Sequence, residues 1–547
     1  MPHGESQDHR GKSDPSIQGT SKFQTKDYPG SNVPNDDFCK YTAVSGFAEA
    51  SPLPTERSGG EKVAPVVVLG AGPAGLTAAY ELNRHDVKSV ILEQYHMVGG
   101  LARTESYRGY LFDLGGHRFF TKVSLVEKIW KEILDEDMIV RPRLSRIFYN
   151  SKFYHYPLEP KNVIENLGLW EIFRCGISYL RARISPKMPE DDFASWVCNR
   201  FGERLFLKFF KSYTEKVWGM PCEQIRADWA AQRIRGLSLM SAARNALFPP
   251  KEGKSELRTL TTEFLYPRQG PGMMWSRMSD ILQGQGNKVH LNTGVEKIHW
   301  QPGGVTAVTA GGRRFSGSHY ISTLPIRDML RSLDPAPPEK VLNAANDFSY
   351  RDFLTVALMV EGTDLFPDNW IYIHSPTVRV GRIQNYTNWS PEMSPDPSMS
   401  CLGMEYFCSE GDDLWSMTDE QLLAMGKREM AEIGVLNGAR ITDGTVVRVR
   451  KAYPVYDDKY ERGLAIVREF LTTLPNLQLV GRNGQHRYNN QDHSMLAAVL
   501  AARNILGSKF DLWNLNTDQD YQEEGVQITD EEILGFDASQ PMVAQRR

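Results

Sequence analysis

The stretch Val66-Val67-Val68-Leu69-Gly70-Ala71-Gly72-Pro73-Ala74-Gly75 decides the fold of this chain. Its first four residues form a short, wholly apolar run, which is typical of a strand buried on both faces of a parallel sheet. A glycine loop follows, and then an amphipathic helix is predicted from about Ala74 to Arg84. A second apolar run, Ser89 to Leu92, ends in Glu93. The sequence therefore predicts a β-α-β unit.

The glycines of this loop have the G-x-G-x-x-G spacing that dinucleotide binding requires. Gly70 permits the tight turn, Gly72 lets a pyrophosphate approach the backbone, and Gly75 lets the helix pack closely on the strand. The start of the helix offers free amide groups and the positive end of its dipole to phosphate. Glu93 follows Gly75 by 18 residues, a distance that suits hydrogen bonds to an adenosine ribose.

The composition is that of a globular protein with no sign of nucleic-acid binding. The 547 residues are 41% hydrophobic and 24% charged, and the formal net charge is -4, so no basic surface is indicated. The six cysteines are scattered, which favours a reduced intracellular protein without a metal site. Because no apolar run reaches the roughly 18 residues of a membrane span and no signal peptide is evident, a cytoplasmic location is expected.

A second group of motifs indicates a flavin. Gly99-Gly100-Leu101-Ala102-Arg103-Thr104 closely follows Glu93, and Asp113-Leu114-Gly115-Gly116-His117 comes next. The predicted strand at His319–Pro325 and the pair Gly481-Arg482 complete the set. These stretches resemble the fingerprints of the two-domain FAD enzymes that include amine oxidases, protoporphyrinogen oxidases and UDP-galactopyranose mutases. The resemblance implies FAD, and not NAD, as the main cofactor.

The glycine loop and this resemblance together predict the cofactor-binding residues. They are Gly70, Gly72, Gly75, Glu93, Gly100, Leu101, Arg103, Gly116, Gly481, Arg482, Asn490, Asp492 and Ser494. By the resemblance, Asn490 and Asp492 lie next to the flavin. Ser494 is expected to start and cap a helix whose N-terminus faces the pyrimidine side of the flavin, where reduced flavin carries negative charge.

The second half of the chain resembles UDP-galactopyranose mutases, especially those of eukaryotes. Their motifs are matched, in order, by Lys216–Pro221, Asp228–Ile234, Phe264–Gly272, Trp370–Tyr372, Arg382–Pro391, Ala452–Pro454 and Gly481–Ser494. The resemblance extends from about residue 65 to residue 507. Trp389 is a departure, because the family's N-Y-S-P motif has tyrosine at that position.

The mutase resemblance implies a redox-neutral isomerisation of a nucleotide-diphosphate sugar, with a UDP-hexose as the expected substrate. In that reaction N5 of reduced FAD attacks the anomeric carbon, and the sugar ring changes between its pyranose and furanose forms. An external reductant is needed to prime the flavin, and NADPH is a candidate for it.

The candidate catalytic residues also come from this resemblance. They are His117, Arg233, Arg382, Tyr372, Tyr453 and Tyr488. The two arginines match those that hold the substrate diphosphate, for which arginine is suited by its permanent charge and bidentate geometry. The tyrosines match hydroxyl donors to the same phosphates. Each has a structural alternative: an arginine on a solvated face, a tyrosine in the core, or a histidine that stabilises the Gly115-Gly116 turn.

Two other functions stay open. A net oxidoreductase of the protoporphyrinogen oxidase or amine oxidase type would have the same fold but an apolar or cation-accepting pocket. A catalytically silent flavin-binding scaffold is the other possibility. The oligomeric state is open for all three.

We expect an α/β fold with a Rossmann-type FAD-binding domain, an inserted helical domain and a mixed or antiparallel substrate-binding sheet. The expected segments are a disordered leader (1–62), the first FAD-domain segment (63–125), a mostly helical insertion (126–262), a return segment to the FAD domain (263–330), the substrate-domain sheet (331–460), the last FAD-domain segment (461–507) and a polar C-terminal extension (508–547).

Overall fold

The computed structural model describes residues 64–121, 123–156, 158–227, 263–457 and 459–515. The expected leader, most of the C-terminal extension and the candidate residue Arg233 lie outside the described residues. So does the helix that periodicity predicts from Trp229 to Leu247.

The described strands range from two residues in β14 to fourteen in β19. In chain order they are β1 (Val66–Leu69), β2 (Ser89–Leu92), β3 (Thr104–Tyr107), β4 (Tyr110–Asp113), β5 (Met138–Pro142), β6 (Ser145–Tyr149), β7 (Lys152–His155), β8 (Glu263–Pro267), β9 (Lys288–His290), β10 (Val295–Gln301), β11 (Gly304–Ala310), β12 (Arg313–Phe315), β13 (Tyr320–Ser322), β14 (Leu333–Asp334), β15 (Tyr350–Glu361), β16 (Trp370–Ile373), β17 (Arg382–Asn385), β18 (Met399–Cys408), β19 (Ile441–Pro454) and β20 (Leu477–Leu479).

The described helices range from single turns to four turns. In chain order they are α1 (Pro73–Arg84), α2 (Ser124–Leu134), α3 (Pro160–Leu167), α4 (Leu169–Ile184), α5 (Phe193–Phe201), α6 (Glu203–Phe209), α7 (Lys211–Trp218), α8 (Gly272–Gly284), α9 (Ile326–Arg331), α10 (Glu339–Asn346), α11 (Tyr386–Trp389), α12 (Asp413–Ser416), α13 (Asp419–Ile433), α14 (Tyr460–Leu471), α15 (Gly481–Gly484) and α16 (Gln491–Ile505).

The first sheet is a five-stranded parallel sheet of the dinucleotide-binding type. Its order is β20-β13-β1-β2-β9, and β1 lies in the middle. All four residues of β1 are fully buried, because helices cover one face of the sheet and strands β10 and β11, together with further helices, cover the other. Helix α1 packs against α16 and α8 on one of these faces. The predicted β-α-β unit and the α/β fold class are thus confirmed.

A seven-stranded mixed sheet carries the candidate catalytic side chains. Its order is β19-β15-β18-β17-β16-β6-β7, and every pair is antiparallel except β16 with β6. Tyr372 lies directly opposite Arg382, and Arg382 lies directly opposite Glu405. Residues opposite each other on neighbouring strands share one face of a sheet. The register therefore places these three side chains in a row.

The helical insertion differs from its expectation in content. Strands β5, β6 and β7 lie within residues 126–262, and β6 and β7 extend the seven-stranded sheet. Short aromatic and apolar runs fit a strand or a helix segment equally well, so periodicity alone does not separate them. The stretch Phe193–Lys211 carries apolar residues at helical spacing, but α5 ends before Gly202, which has φ +82°. Among the described helices, none is long and apolar enough to cross a membrane.

The packing of α1 on β1 gives a direct test of the fold. A Cβ atom at Gly75 would lie 1.9 Å from the carbonyl oxygen of Gly70. We therefore expect Gly75→Ala to lower the free energy of unfolding by about 1–3 kcal/mol or more and to reduce the flavin content of the purified protein. Urea unfolding and flavin absorbance measure the two effects.

Gly176→Ala is the matched control. Gly176 is exposed on α4, and nothing lies within 4 Å of a Cβ atom placed there. Its replacement should leave stability unchanged or raise it by up to about 1 kcal/mol, since alanine is the better helix former. If Gly75→Ala were as stable as wild type, the close packing would be contradicted.

Candidate functional site

Two glycine motifs face each other at the carboxyl end of the parallel sheet. Gly70 has φ +105°, and a Cβ atom there would lie 2.1 Å from Thr323 Oγ1. A Cβ atom at Gly100, where φ is +54°, would lie 3.1 Å from the Cα of Gly72. Bare backbone from both motifs therefore lines one cradle. Such a cradle fits the pyrophosphate of a dinucleotide, which needs close approach to amide groups at a helix start.

Glu93 is held in place at the end of β2. Its carboxylate accepts hydrogen bonds from the N–H of Ala71 at 2.7 Å and from the N–H of Tyr95 at 2.9 Å. Burial raises the pKa of this carboxyl, while the two N–H groups and Arg103 oppose the change. Arg103 in turn donates to the carbonyl of Gly100 at 2.9 Å. The acid and the second glycine motif are thus positioned together, as the ribose and diphosphate of FAD require.

A buried carboxyl joins three of the motifs. Asp113 accepts hydrogen bonds from Thr104 Oγ1 at 2.8 Å and from the hydroxyl of Tyr266. Thr104 Oγ1 accepts the N–H of Gly272 at 3.0 Å. A Cβ atom at Gly270 would lie 2.3 Å from the same oxygen. Sequence reasoning recognised these stretches separately, but it did not predict that Asp113 connects them.

The C-terminal motif completes the cofactor side. Gly481 has φ +82°, and a Cβ atom there would lie 3.1 Å from the Cβ of Ala74 in α1. Arg482 donates from Nε to the carbonyl of Asn489 at 2.9 Å and from Nη1 to the carbonyl of Ala452 at 3.0 Å. These contacts tie the end of β19 to the loop before α16.

One expectation about this motif is wrong. Helix α16 begins at Gln491, so Asn490 is the N-cap and Ser494 lies one turn inside the helix. Asn490 has an extended backbone, and its N–H donates to His493 Nδ1 at 3.4 Å. Asparagine caps helices as well as serine does, and the sequence offers both. Asp492 and Ser494 are buried in the first turn.

An arginine–tyrosine cluster, defined here as Arg382, Arg482, Tyr453 and Tyr488, lies beside the cofactor motifs. The rings of Tyr453 and Tyr488 are stacked, with centroids 5.5 Å apart and an interplanar angle of 12°. The Arg482 guanidinium lies 4.7 Å from the centre of the Tyr488 ring. Arg382 Nη2 donates to the Tyr453 hydroxyl at 3.1 Å. Leu101, from the second glycine motif, packs on the same side chains.

Arg382 has a partner that sequence reasoning missed. Its Nη2 lies 2.6 Å from Oε2 of Glu405, which is fully buried and also accepts Gln384 Nε2 at 2.7 Å. Burial opposes the charge of Arg382, but Glu405 keeps the arginine pKa well above its ordinary value. An acid inside the apolar run of β18 is the signal that could have revealed this pair. Arg382 Nε has no hydrogen-bond partner among the described residues.

His117 lies close enough to both guanidinium groups of the cluster to interact with their charges. Burial, with Arg482 and Arg382 nearby, lowers its pKa to about 3. The imidazole is therefore neutral at physiological pH. A Cβ atom at the preceding Gly116 would lie 3.1 Å from Gln384 Nε2 and 3.4 Å from Trp389. The Gly116-His117 turn thus packs tightly against the seven-stranded sheet.

Trp389 packs in the core, at the position where the matched N-Y-S-P motif of the mutases has tyrosine. It is almost fully buried, and its Nε1 donates to the carbonyl of Asn369 at 2.9 Å. Its ring packs against Phe264 and Tyr266, with centroids 5.0 Å and 5.1 Å away. This side chain supplies no hydroxyl and stabilises the strands behind the cluster.

Tyr372 belongs to an aromatic group at the edge of the site. Its ring meets Tyr156 and Tyr213 edge-on, at centroid distances of 5.1 Å and 5.6 Å. Tyr213 also stacks on His374 at 4.7 Å. Tyr213 and His374 are residues that sequence reasoning did not select. The structure thus brings His117, Arg382, Tyr372, Tyr453 and Tyr488 together on one side of the mixed sheet.

Lys216, from the matched motif on α7, is held by backbone carbonyl groups. Its Nζ donates to the carbonyls of Ile373, Ser375 and Val380 at 3.2, 2.6 and 3.2 Å. Burial lowers its pKa to about 8. The lysine therefore fastens α7 to the mixed sheet near Tyr372. Among the described residues, no group of three or more His, Cys, Asp or Glu side chains could hold a metal ion.

The profile of the flavin containing amine oxidoreductases matches residues 73–506, which is most of the chain. The protein belongs to this family. FAD is accordingly the cofactor that the cradle fits. The family shows neither the substrate nor the direction of the chemistry.

Individual relatives are more distant. The chain is 24% identical over 322 residues to a 15-cis-phytoene desaturase of Narcissus pseudonarcissus, covering 55% of this chain and 53% of that protein. It spans about half the length of the curated relatives it matches first. A structure of reduced UDP-galactopyranose mutase superposes with TM-score 0.71 at 23% identity, over 83% of this chain and 98% of that one. A putrescine oxidase superposes with TM-score 0.56 at 16% identity, over 81% and 99%. These similarities establish the fold.

The buried Asp113 gives a test by pH. Burial raises its pKa to about 7 from an ordinary 3.8. Between about pH 4 and pH 7 the folded chain therefore holds a proton on Asp113 that the unfolded chain releases. The contribution of this group to the free energy of unfolding is fully present below about pH 4 and is lost as the pH rises through 7. The loss is on the order of 2–4 kcal/mol. We expect Asp113→Asn to remove this part of the pH dependence in urea unfolding between pH 4 and 8.

The slope of stability against pH is the readout, because the amide also changes the hydrogen bonds and the absolute stability. Asp364→Asn, at an exposed position, should keep the wild-type slope. An unchanged slope in Asp113→Asn would show that Asp113 does not titrate as described.

Proposed function

We propose that the protein is an FAD-dependent isomerase that acts on a nucleotide-diphosphate sugar, with a UDP-hexose as the expected substrate. The observation that carries the proposal is the arginine–tyrosine cluster, packed against Leu101 of the second glycine motif. Support also comes from the fold shared with UDP-galactopyranose mutase and from the order of the matched motifs.

The charges of the cluster suit an anionic substrate. The cluster holds two guanidinium groups, of which Arg382 contacts the carboxylate of Glu405, and the nearby His117 is neutral. The contacts of Arg482 are carbonyl oxygens and tyrosine rings, which do not cancel its charge. A partly buried excess of positive charge attracts a diphosphate, and arginine can bind it bidentately.

The residues would share the work as follows. Arg382 holds the diphosphate close to the anomeric carbon and offsets the charge that develops when it leaves, and Arg482 adds a fixed positive charge from the cofactor side. The hydroxyls of Tyr453 and Tyr488 donate to the same group without adding charge. Neutral His117 lies at the turn beside the flavin. Arg233 and Tyr372 are proposed as further contacts to the substrate.

The cofactor supplies the covalent chemistry. When bound and reduced, FAD supplies the nucleophilic N5 for a reaction without net electron transfer. In this proposal Asn490, Asp492 and Ser494 line the flavin at the start of α16, and NADPH is the external reductant. The chain's own task is to bind, orient and shield the substrate.

A second candidate is a net oxidoreductase, and one feature of the site favours it. Glu405 neutralises Arg382, and the cluster is otherwise walled by apolar side chains. These are Leu114, Phe353, Phe407 and Val449. Such walls suit an apolar substrate, and the desaturase and the putrescine oxidase are each named for a net oxidation.

An anaerobic conversion assay separates the two candidates. The purified yellow protein is reduced with dithionite and mixed with a panel of UDP- and TDP-hexoses, and the nucleotide sugars are separated by chromatography. We expect a new nucleotide sugar to form only with reduced flavin and without electron consumption. No conversion, with reduction of the bound flavin by a non-sugar substrate, would establish the oxidoreductase.

Arg382→Lys tests the role of the cluster. Lysine keeps the charge opposite Glu405 but loses the bidentate geometry, so kcat/KM for the sugar should fall about 10–100-fold. The flavin spectrum should stay unchanged. Arg379→Lys is the control, because Arg379 is exposed and pairs with Asp413 at 2.6 Å, and it should retain full activity. If both variants were equally active, the proposed contact between Arg382 and the substrate would be contradicted.

A further inference from the structure

Helix α4 turns an apolar face to solvent. Leu169, Trp170 and Ile184 are 78%, 71% and 83% exposed, which is unusual for side chains of this kind. Phe173, Ile177 and Leu180 are exposed as well. These six residues are called the α4 face below. Contiguous apolar surface of this extent is rare on soluble monomeric proteins and usually marks a binding surface.

The α4 face is a continuous stripe with basic margins. At 100° per residue, its six members fall within an arc of about 100°, along a helix of 16 residues. Arg174 and Arg181 follow on one side of the arc, and Arg183 lies on the other. An apolar stripe with aromatic residues and arginines along its edges is typical of helices that lie in the surface of a bilayer.

The opposite face of α4 is fixed to the protein. Cys175 is buried, and Glu171 pairs with Arg204 at 2.7 Å and Lys208 at 3.4 Å. The Arg204 N–H also donates to Ser178 Oγ at 3.1 Å. The helix therefore cannot rotate its apolar stripe inward without breaking these contacts. The stripe is held facing outward.

Further exposed apolar side chains occur in the segments that precede and follow α4 in the sequence. They are Leu158, Ile164, Met188 and Leu207.

We propose that the α4 face binds the surface of a membrane that contains anionic lipids, with the helix lying parallel to the bilayer plane. This inference does not depend on the proposed function. The stripe would enter the boundary between headgroups and acyl chains, with Trp170 at the level where indole rings are favoured. Arg181 and Arg183 at its margins would contact lipid phosphates, whereas Arg174 already pairs with Glu171 at 3.6 Å.

The charges favour lipid over a second copy of this chain. Glu171 is the sole acid in α4, and it faces inward, where it is already paired. In a twofold dimer through this face, the arginine margins of the two copies would meet with no acid of α4 to pair them. An anionic lipid surface supplies the missing negative charge.

Vesicle sedimentation tests the proposal with the full-length holoprotein. Vesicles of phosphatidylcholine alone are compared with vesicles made of equal amounts of phosphatidylcholine and phosphatidylserine. We expect co-sedimentation with the anionic vesicles, weakened by added salt. Phe173→Glu with Leu180→Glu should abolish it, and Arg181→Gln with Arg183→Gln should weaken it about fivefold per arginine. Leu291→Glu, also at an exposed apolar position, should bind as wild type.

Flavin content and thermal midpoint confirm that each variant is folded. Absence of binding to anionic vesicles would overturn the proposal. If wild type then sediments as a dimer that Phe173→Glu with Leu180→Glu converts to a monomer, the face is an interface between copies. Equal binding to both vesicle types, unaffected by these substitutions, would also overturn it.

Discussion

The contact between Gly75 and the carbonyl oxygen of Gly70 is the constraint on which the rest of the structure depends. No side chain fits between them, so the start of α1 lies against the end of β1. Thr323, just after β13, and Gly481 from α15 approach the same turn from other parts of the chain. The ends of the parallel strands therefore meet where free amide groups of α1 can bind phosphate. Every further element of the site is placed relative to this point.

The mixed sheet is joined to this point by buried polar contacts. Asp113 binds Tyr266 and Thr104 through its carboxyl, and its carbonyl accepts the hydroxyl of Tyr386 at 2.7 Å. These partners belong to different segments, and each is costly to leave unpaired in the interior. The network fixes the sheet against the cofactor cradle. The arginine–tyrosine cluster can then form between them, from side chains that no single segment supplies.

Local features of the fold were predictable from the sequence, and pairings between distant segments were not. The Gly70–Gly75 loop and β1 follow from apolar runs and glycine spacing, which act within a few residues. The pairing of Arg382 with Glu405 depends on the register of β17 and β18, which no local pattern encodes. The start of α16 was misplaced because Asn490 and Ser494 are both good caps.

The roles of the site residues depend on ligands, so they stay predictions. Trp389 shows why motif matching is limited. It stands where the matched mutase motif has tyrosine, but here it packs in the core and donates a hydrogen bond to the carbonyl of Asn369. Glu405 shows the same limit, since it changes the charge that Arg382 offers to a substrate. A motif identifies the residue type, and its neighbours decide the chemistry.

A crystal structure of the dithionite-reduced protein with UDP would show directly where both diphosphates bind. We predict that the FAD diphosphate lies between Gly72 and Gly100, and that the UDP diphosphate contacts Arg382 and Tyr453. FAD bound in the cradle with UDP absent from the cluster, or bound elsewhere, would contradict the claim that the arginine–tyrosine cluster is a diphosphate site.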